Sequence, residues 1–322
     1  MNRRDLIIGL GGAIALQSGL SACASRAPTA IGMHPWIGYE PLRLAHGFGW
    51  LPPELTLSVG ADAIDTLDGL TSGELDGGTL TLDETLRARS RGAPLGVVAV
   101  LNISAGADVL LARPPIRELT QLRGLPIGVT ASAVGELMLA KMLEVTGLRK
   151  EDIQIVPLRM DEQIQAWEQQ TVAAVITYEP TASLLQRRGA VRVFDSRDIP
   201  NTIFDVLAIR HDRMADRQTT LGALVDAHFQ ALNHIRLNLE DAVYRIAAIQ
   251  NIDAGEVRAA LSGITLPDLA ANRKLLHAPS SLSRAAEALN PLMVENGMLP
   301  GADPLDDLLV PDLLAALTRE RS

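Results

Sequence analysis

The sequence predicts an α/β protein with parallel sheets, arranged as two lobes and followed by a helical C-terminal region. Three observations lead there. From Leu42 onward, short apolar runs alternate with amphipathic stretches of helical length, the pattern of successive βα units. One plan occurs twice: residues 72–84 and 170–180 each hold an apolar strand ending near an acid, then a helix and a glycine, Gly92 or Gly189, as in two similar lobes. Beyond residue 212, Leu221, Leu224, Val225, His228, Leu232, Ile235 and Leu239 recur at helical spacing.

Taken in order, the expected strands are Leu55–Val59, Gly78–Leu82, Gly96–Leu101, Val109–Ala112, Ile127–Val129, Ile153–Pro157, Ala173–Tyr178, Val191–Phe194 and Val206–Ile209. Each is short, apolar and bounded by Gly, Pro or polar residues. Helices are expected at Ile64–Ser72, Asp83–Ser90, Val134–Thr146, Asp161–Gln169 and Thr181–Arg188. Asp161 is placed to cap its helix, and Gly147 and Gly189 to end theirs in the left-handed conformation.

The first residues read as an export signal. Arg3-Arg4 precedes an apolar run, Leu6–Leu16, too short to span a bilayer, which takes about 20 residues. Leu20-Ser21-Ala22-Cys23 resembles the bacterial lipobox, and Asn2–Ile7 resembles a twin-arginine signal. Residues 1–22 are therefore expected to be a lipoprotein signal peptide, Cys23 the lipid attachment site and 23–30 a tether, placing the chain on the periplasmic side of a bacterial membrane. A formal net charge of −9 without a basic stripe argues against nucleic-acid binding. A single cysteine rules out a disulfide framework, and six scattered histidines show no ligand spacing, so no metal and no cofactor is expected. Neither a phosphate loop nor a nucleophile elbow is present, and no catalytic residue is assigned.

Six segments carry a resemblance: Trp36-Ile37-Gly38-Tyr39-Glu40-Pro41, Leu80–Glu84, Gly106-Ala107-Asp108, Ile127–Thr130, Thr177-Tyr178-Glu179-Pro180 and Asp205–Arg210. In order and spacing they resemble the nitrate/sulfonate/taurine-type solute-binding proteins of ABC transporters, in the thiamine-pyrimidine-synthase-like branch, over residues 31–250. The chain departs from that family at Gln169–Ala173, where a Gly-x-x-Asp turn usually precedes the strand. The resemblance implies a type II periplasmic-binding-protein fold with crossings near Leu111–Pro114 and Asp205–Ile209. Lobe one is then 31–111 plus 206–322, and lobe two 112–205. It also implies a monomer that captures a small polar molecule in the interlobe cleft and passes it to an ABC permease; the alternative is a ligand-sensing module for a membrane-bound regulator.

Ligands of open α/β sheets bind beyond the carboxyl ends of the strands. Asp83, Tyr178 and Glu179 end strands there, and Asp83 could equally cap its helix. Thr130 and Ser132 open a helix whose amides suit an anionic or carbonyl group. Trp36 and Tyr39 offer ring faces, and Ser104, Asp108 and Asp205 flank the crossings. Carboxylates outnumber bases in this set, so an amine- or ring-nitrogen-bearing ligand is expected.

Overall fold

A computed structural model describes residues 27–130 and 132–317. Cys23 and the export motifs lie outside the described residues, as does Ala131.

Two sheets carry the fold. The first comprises β1 (Thr29–Met33), β2 (Leu55–Val59), β3 (Gly77–Thr81), β4 (Leu95–Ser104), β10 (Phe204–Arg210) and β11 (Ile264–Thr265), in the order β2-β1-β3-β10-β4-β11. The second comprises β5 (Val109–Ala112), β6 (Pro126–Val129), β7 (Gln154–Pro157), β8 (Ala174–Thr177) and β9 (Val191–Asp195), in the order β7-β6-β8-β5-β9. The two orders share one plan. β2, β1 and β3 are parallel, as are β7, β6 and β8. Beside each set lies one antiparallel strand, β10 or β5, that arrives from the other lobe. The repeat seen in the sequence thus places β3 and β8 at equivalent central positions.

The expected strands are present with ends shifted by a few residues, and four boundaries need correction. β1 was not foreseen, and it takes Thr29 and Ala30 out of the tether. Its start is fixed by Ala30 N–H donating to Asp76 Oδ2 at 2.9 Å. β5 belongs to the second sheet, because its four buried residues pair with β8 and β9. Lobe one therefore stops before Val109 and resumes by Phe204, and the crossings are residues 105–108 and 196–203. Leu82 begins a helix rather than ending a strand, because Thr81 caps that helix and pairs with Glu84 in a capping box. Asp161 caps nothing; it sits exposed in the 3-10 turn Met160–Glu162.

In the first half, the helices are α1 (Glu40–Gly47), α2 (Ala63–Ser72), α3 (Leu82–Ser90), α4 (Ala133–Thr146), α5 (Gln163–Glu168) and α6 (Thr181–Arg187). The helical C-terminal region follows as α7 (His211–Leu237), α8 (Leu239–Gln250), α9 (Ala254–Ser262), α10 (Leu269–Leu275), α11 (Ser281–Glu295) and α12 (Asp312–Ala316). Gly147 and Gly189 take φ of +68° and +85°, the left-handed ends the sequence required. Among the described residues no helix is long and apolar enough to cross a membrane.

The central strands are buried on both faces, so β4 and β10 read as continuous apolar runs. β11 covers only two residues of β4. Further along that edge Asn272 replaces a strand: its Oδ1 accepts from Val100 N–H at 2.7 Å, and its Nδ2 donates to Val100 O at 3.0 Å. The carboxyl ends of β1 and β3 face those of β6 and β8 across the gap between the sheets, where this architecture places its ligand site.

Candidate ligand-binding cleft

The cleft is built from segments that follow four strands. β1 runs into His34 and the Trp36–Tyr39 turn, β3 into Thr81–Glu84, β6 into Thr130, with Ser132 and Ala133 opening the next helix, and β8 into Tyr178 and Glu179. The crossings contribute Asp108, and β10 contributes Asp205. Between the lobes lies a small cavity lined by His34, Trp36, Thr81, Glu84, Asp108, Val134, Tyr178 and Asp205. It encloses about 20 Å³, room for about one water molecule.

Aromatic rings from both lobes meet here. Tyr178 of lobe two stands edge-on to Trp36 at 5.2 Å and lies 6.2 Å from His34. His34 is in turn edge-on to Tyr39 at 5.2 Å. These spacings suit aromatic packing. Burial holds His34 neutral, lowering its pKa to about 4, and its Nδ1 has no partner among the described residues.

Behind Trp36 is a closed hydrogen-bond network. Asp205 and Asn102 face each other on neighbouring strands. With its amide turned to suit its neighbours, Asn102 donates to Asp205 Oδ2 at 2.9 Å and accepts from Trp36 Nε1–H at 3.2 Å. Tyr39 Oη–H donates to Asp205 Oδ1 at 2.6 Å. A Cβ on Gly38 would fall 1.8 Å from the Asn102 amide atom that faces Trp36, so only glycine lets the amide reach the ring. Both Asp205 oxygens are engaged. Burial first, then the nearby carboxylates, push its pKa well above the ordinary value.

Other acidic groups are unsatisfied. Glu84 Oε2 accepts from Thr81 N–H at 3.0 Å, but Oε1 has no partner; Asp108 Oδ2 has none either. Both oxygens of Asp83 lack a hydrogen bond of good geometry, although Thr81 is beside them. Burial raises all three: Asp83 to about 6, Asp108 to about 7 and Glu84 to about 8, the last helped by the Asp83 charge. The guanidinium facing this cluster is Arg87, one turn beyond Asp83, which reaches across the gap to Glu136 on α4. Among the described residues no His, Cys, Asp and Glu gather as a metal site.

The ten expected ligand contacts separate accordingly. Trp36, Asp108, Tyr178 and Asp205 line the cavity, though Asp205 is spent on its network. Tyr39 stands behind it, buried and tied to Asp205. Asp83 is buried in the first turn of α3, not at its cap, and acts on the cluster through charge. Ser104 Oγ pairs with Ser196 Oγ at 2.7 Å and so ties the end of β4 to the second crossing. Thr130 Oγ1 is held by Gln163 Nε2 at 2.9 Å. Glu179 lines a different cavity, beside the crossings, and its oxygens accept from Ser183 N–H and Oγ–H, both at 3.1 Å; the N-cap of α6 is Pro180, and these bonds tie Glu179 to the first turn of that helix. Ser132 is the reverse: it makes no cap bond, and its buried Oγ has no partner among the described residues at the start of α4.

Sequence reasoning missed His34, Thr81, Glu84, Val134 and Asn102. Glu84 was legible as the N3 residue of a Thr-x-x-Glu capping box. The cross-strand role of Asn102 is tertiary and left no local signal.

A family model described as NMT1/THI5 like matches residues 54–241. No curated protein matches the sequence. Similar solved structures include an alkanesulfonate-binding protein from Xanthomonas axonopodis pv. citri bound to MOPS, with a TM-score of 0.72 at 17% identity, covering 90% of this chain and 99% of that one. The ligand-binding component of an ABC-type import system from Staphylococcus aureus, with zinc bound, scores 0.74 at 15% identity, covering 92% and 100%. The periplasmic aliphatic sulphonate-binding protein of Escherichia coli scores 0.71 at 19% identity, covering 89% and 92%.

Proposed function

The chain belongs to the NMT1/THI5-like family, and from that premise we propose that it is a solute-binding protein for ABC import. It captures a compact molecule rich in N–H donors between its lobes and delivers it to a membrane permease. One observation carries the ligand class: Glu84 Oε1 and Asp108 Oδ2 are buried acceptors without partners on a cavity walled by Trp36, His34 and Tyr178. A buried carboxylate without a partner is costly, and a ligand amine, amidine or ring N–H would satisfy it. Trp36 and Tyr178 favour a planar or cationic partner.

The fold is shared with sulfonate-binding proteins, and the polar groups on this cavity are carboxyls rather than bases. Glu84, Asp108 and Asp205 line it and Asp83 lies behind them; burial favours their protonated forms, and any charge they carry is negative, which disfavours a bare anion. An acceptor end of a zwitterion would suit Ser132 Oγ and the first amides of α4. Aminopyrimidines and taurine-like zwitterions therefore fit better than nitrate or a simple alkanesulfonate. Binding requires the lobes to swing about residues 105–108 and 196–203. Gly106, at φ +115°, is the conformationally free point of the first crossing, and Arg192 Nη1 holds its carbonyl at 2.8 Å.

The lone cysteine in Leu20–Cys23 supports a lipid anchor at Cys23 after export, with a monomer acting on the periplasmic side of the membrane. A thermal-shift screen of aminopyrimidines, polyamines, taurine, alkanesulfonates and nitrate tests the ligand class. Donor-bearing compounds should raise the melting temperature. A shift confined to nitrate or alkanesulfonates would overturn it.

A further inference from the structure

We propose that the closed cleft is held by an electrostatic latch of three ion pairs that bridge the lobes, so that the balance between open and closed forms follows ionic strength independently of ligand. The pairs are Arg87–Glu136, Arg159–Asp62 and Arg187–Glu256. Every one joins an element of the first lobe to an element of the second. Asp62 caps α2, Arg87 lies in α3 and Glu256 in α9; Glu136 lies in α4, Arg159 precedes α5 and Arg187 ends α6.

The signs are what make this a latch. Lobe one presents two acids and one base, and lobe two presents two bases and one acid. A closure slipped sideways would bring like charges together, so the three pairs select one closed pose. The contacts also differ in burial. Asp62 is 2% exposed and Glu256 14%, whereas their partners Arg159 and Arg187 are 42% and 51% exposed. Besides a backbone N–H from their own lobe, the two acids take their cationic partner from the opposite lobe: Arg159 Nη2 stands 2.9 Å from Asp62 Oδ2. Opening returns the arginines to water and leaves the acids behind on lobe one. A fourth bridge, Lys150 Nζ to Asn296 O at 2.9 Å, adds a charge-assisted bond of the same polarity.

Pairs this exposed weaken with salt, since the screening length falls from about 10 Å at 0.1 M to about 3 Å at 1 M. The test is single-molecule energy transfer between dyes at Val59→Cys and Val145→Cys, exposed positions on opposite lobes, in a Cys23→Ser background without added ligand. Raising NaCl from 50 mM to 1 M should shift the population toward the open form. At 50 mM, Arg159→Glu should lower the closed-to-open ratio about fivefold and Arg159→Glu/Arg187→Glu about 30-fold, from about 1 kcal/mol per exposed pair. Arg188→Glu makes the same charge change on a residue paired within lobe two, to Glu168, and should leave the ratio unchanged. An equal opening by Arg188→Glu, or a wild-type ratio indifferent to salt and to both reversals, would overturn the latch.

Discussion

Asn102→Leu should be among the most damaging substitutions of similar size in this protein. Asn102 is fully buried and joins Asp205 Oδ2 to Trp36 Nε1. Leucine matches its shape but offers neither donor nor acceptor. Two polar groups, on residues each 3% exposed, then lose their partners, at about 1–3 kcal/mol apiece. Asp205 can soften its share by holding a proton, because its pKa is already raised by burial. The net loss should be about 2–4 kcal/mol. At about 2–4 °C per kcal/mol for a chain of this class, the melting temperature should fall by roughly 4–15 °C. Calorimetry reads this directly, and Trp fluorescence should report a wetter indole in the folded state. Gly38→Ala should act in the same direction, since its Cβ would displace the Asn102 amide. A loss below about 0.5 kcal/mol for Asn102→Leu would show that the network is not structural.

Glu84 and Asp108 have folded pKa values of about 8 and 7, above their ordinary ones, so the stability they contribute is complete below about pH 4 and disappears as pH rises through 7 and 8. The melting temperature should fall between pH 5 and 9, and Glu84→Gln should flatten that slope by up to one proton, about 1.4 kcal/mol per pH unit. His34 and His228 act oppositely: burial lowers both to about 4, so their contribution is present above pH 6.5 and lost as pH falls toward 4, and His228→Leu should reduce acid sensitivity in pH-dependent urea melts. Asn272→Ala should cost about 2–4 kcal/mol in chemical denaturation, because it strips Val100 of both its bonds. Cys23→Ser should abolish membrane fractionation; retention in the membrane fraction would end the lipoprotein reading.

Much of the fold was legible because its strands are local. β2 and β5 fall on the expected residues, each a short apolar run with clear punctuation. β1 was not, since Thr29–Met33 follows a Pro-bearing leader and its identity as a strand depends on pairing with β2 and β3. The lobe boundary was missed for the same reason: nothing within Val109–Ala112 says which sheet it joins. In the cleft, sequence reasoning found acids at strand ends but could not tell which were occupied. Glu179 and Ser183 are four apart, a spacing that already allowed a local hydrogen bond. Asp205 is engaged by residues 103 and 166 positions away, which only the folded chain brings together. The free acceptors that remain, on Glu84 and Asp108, are defined by what their neighbours fail to supply.

The central claim is that these free acceptors select the ligand. Isothermal calorimetry of wild type and Asp108→Asn, against an aminopyrimidine and against methanesulfonate, tests it most directly. The wild type should bind the aminopyrimidine, and Asp108→Asn should weaken that binding about 10- to 100-fold, the worth of one hydrogen bond to a charged group. Tight binding of methanesulfonate by the wild type, with unchanged or improved affinity in Asp108→Asn, would contradict the account.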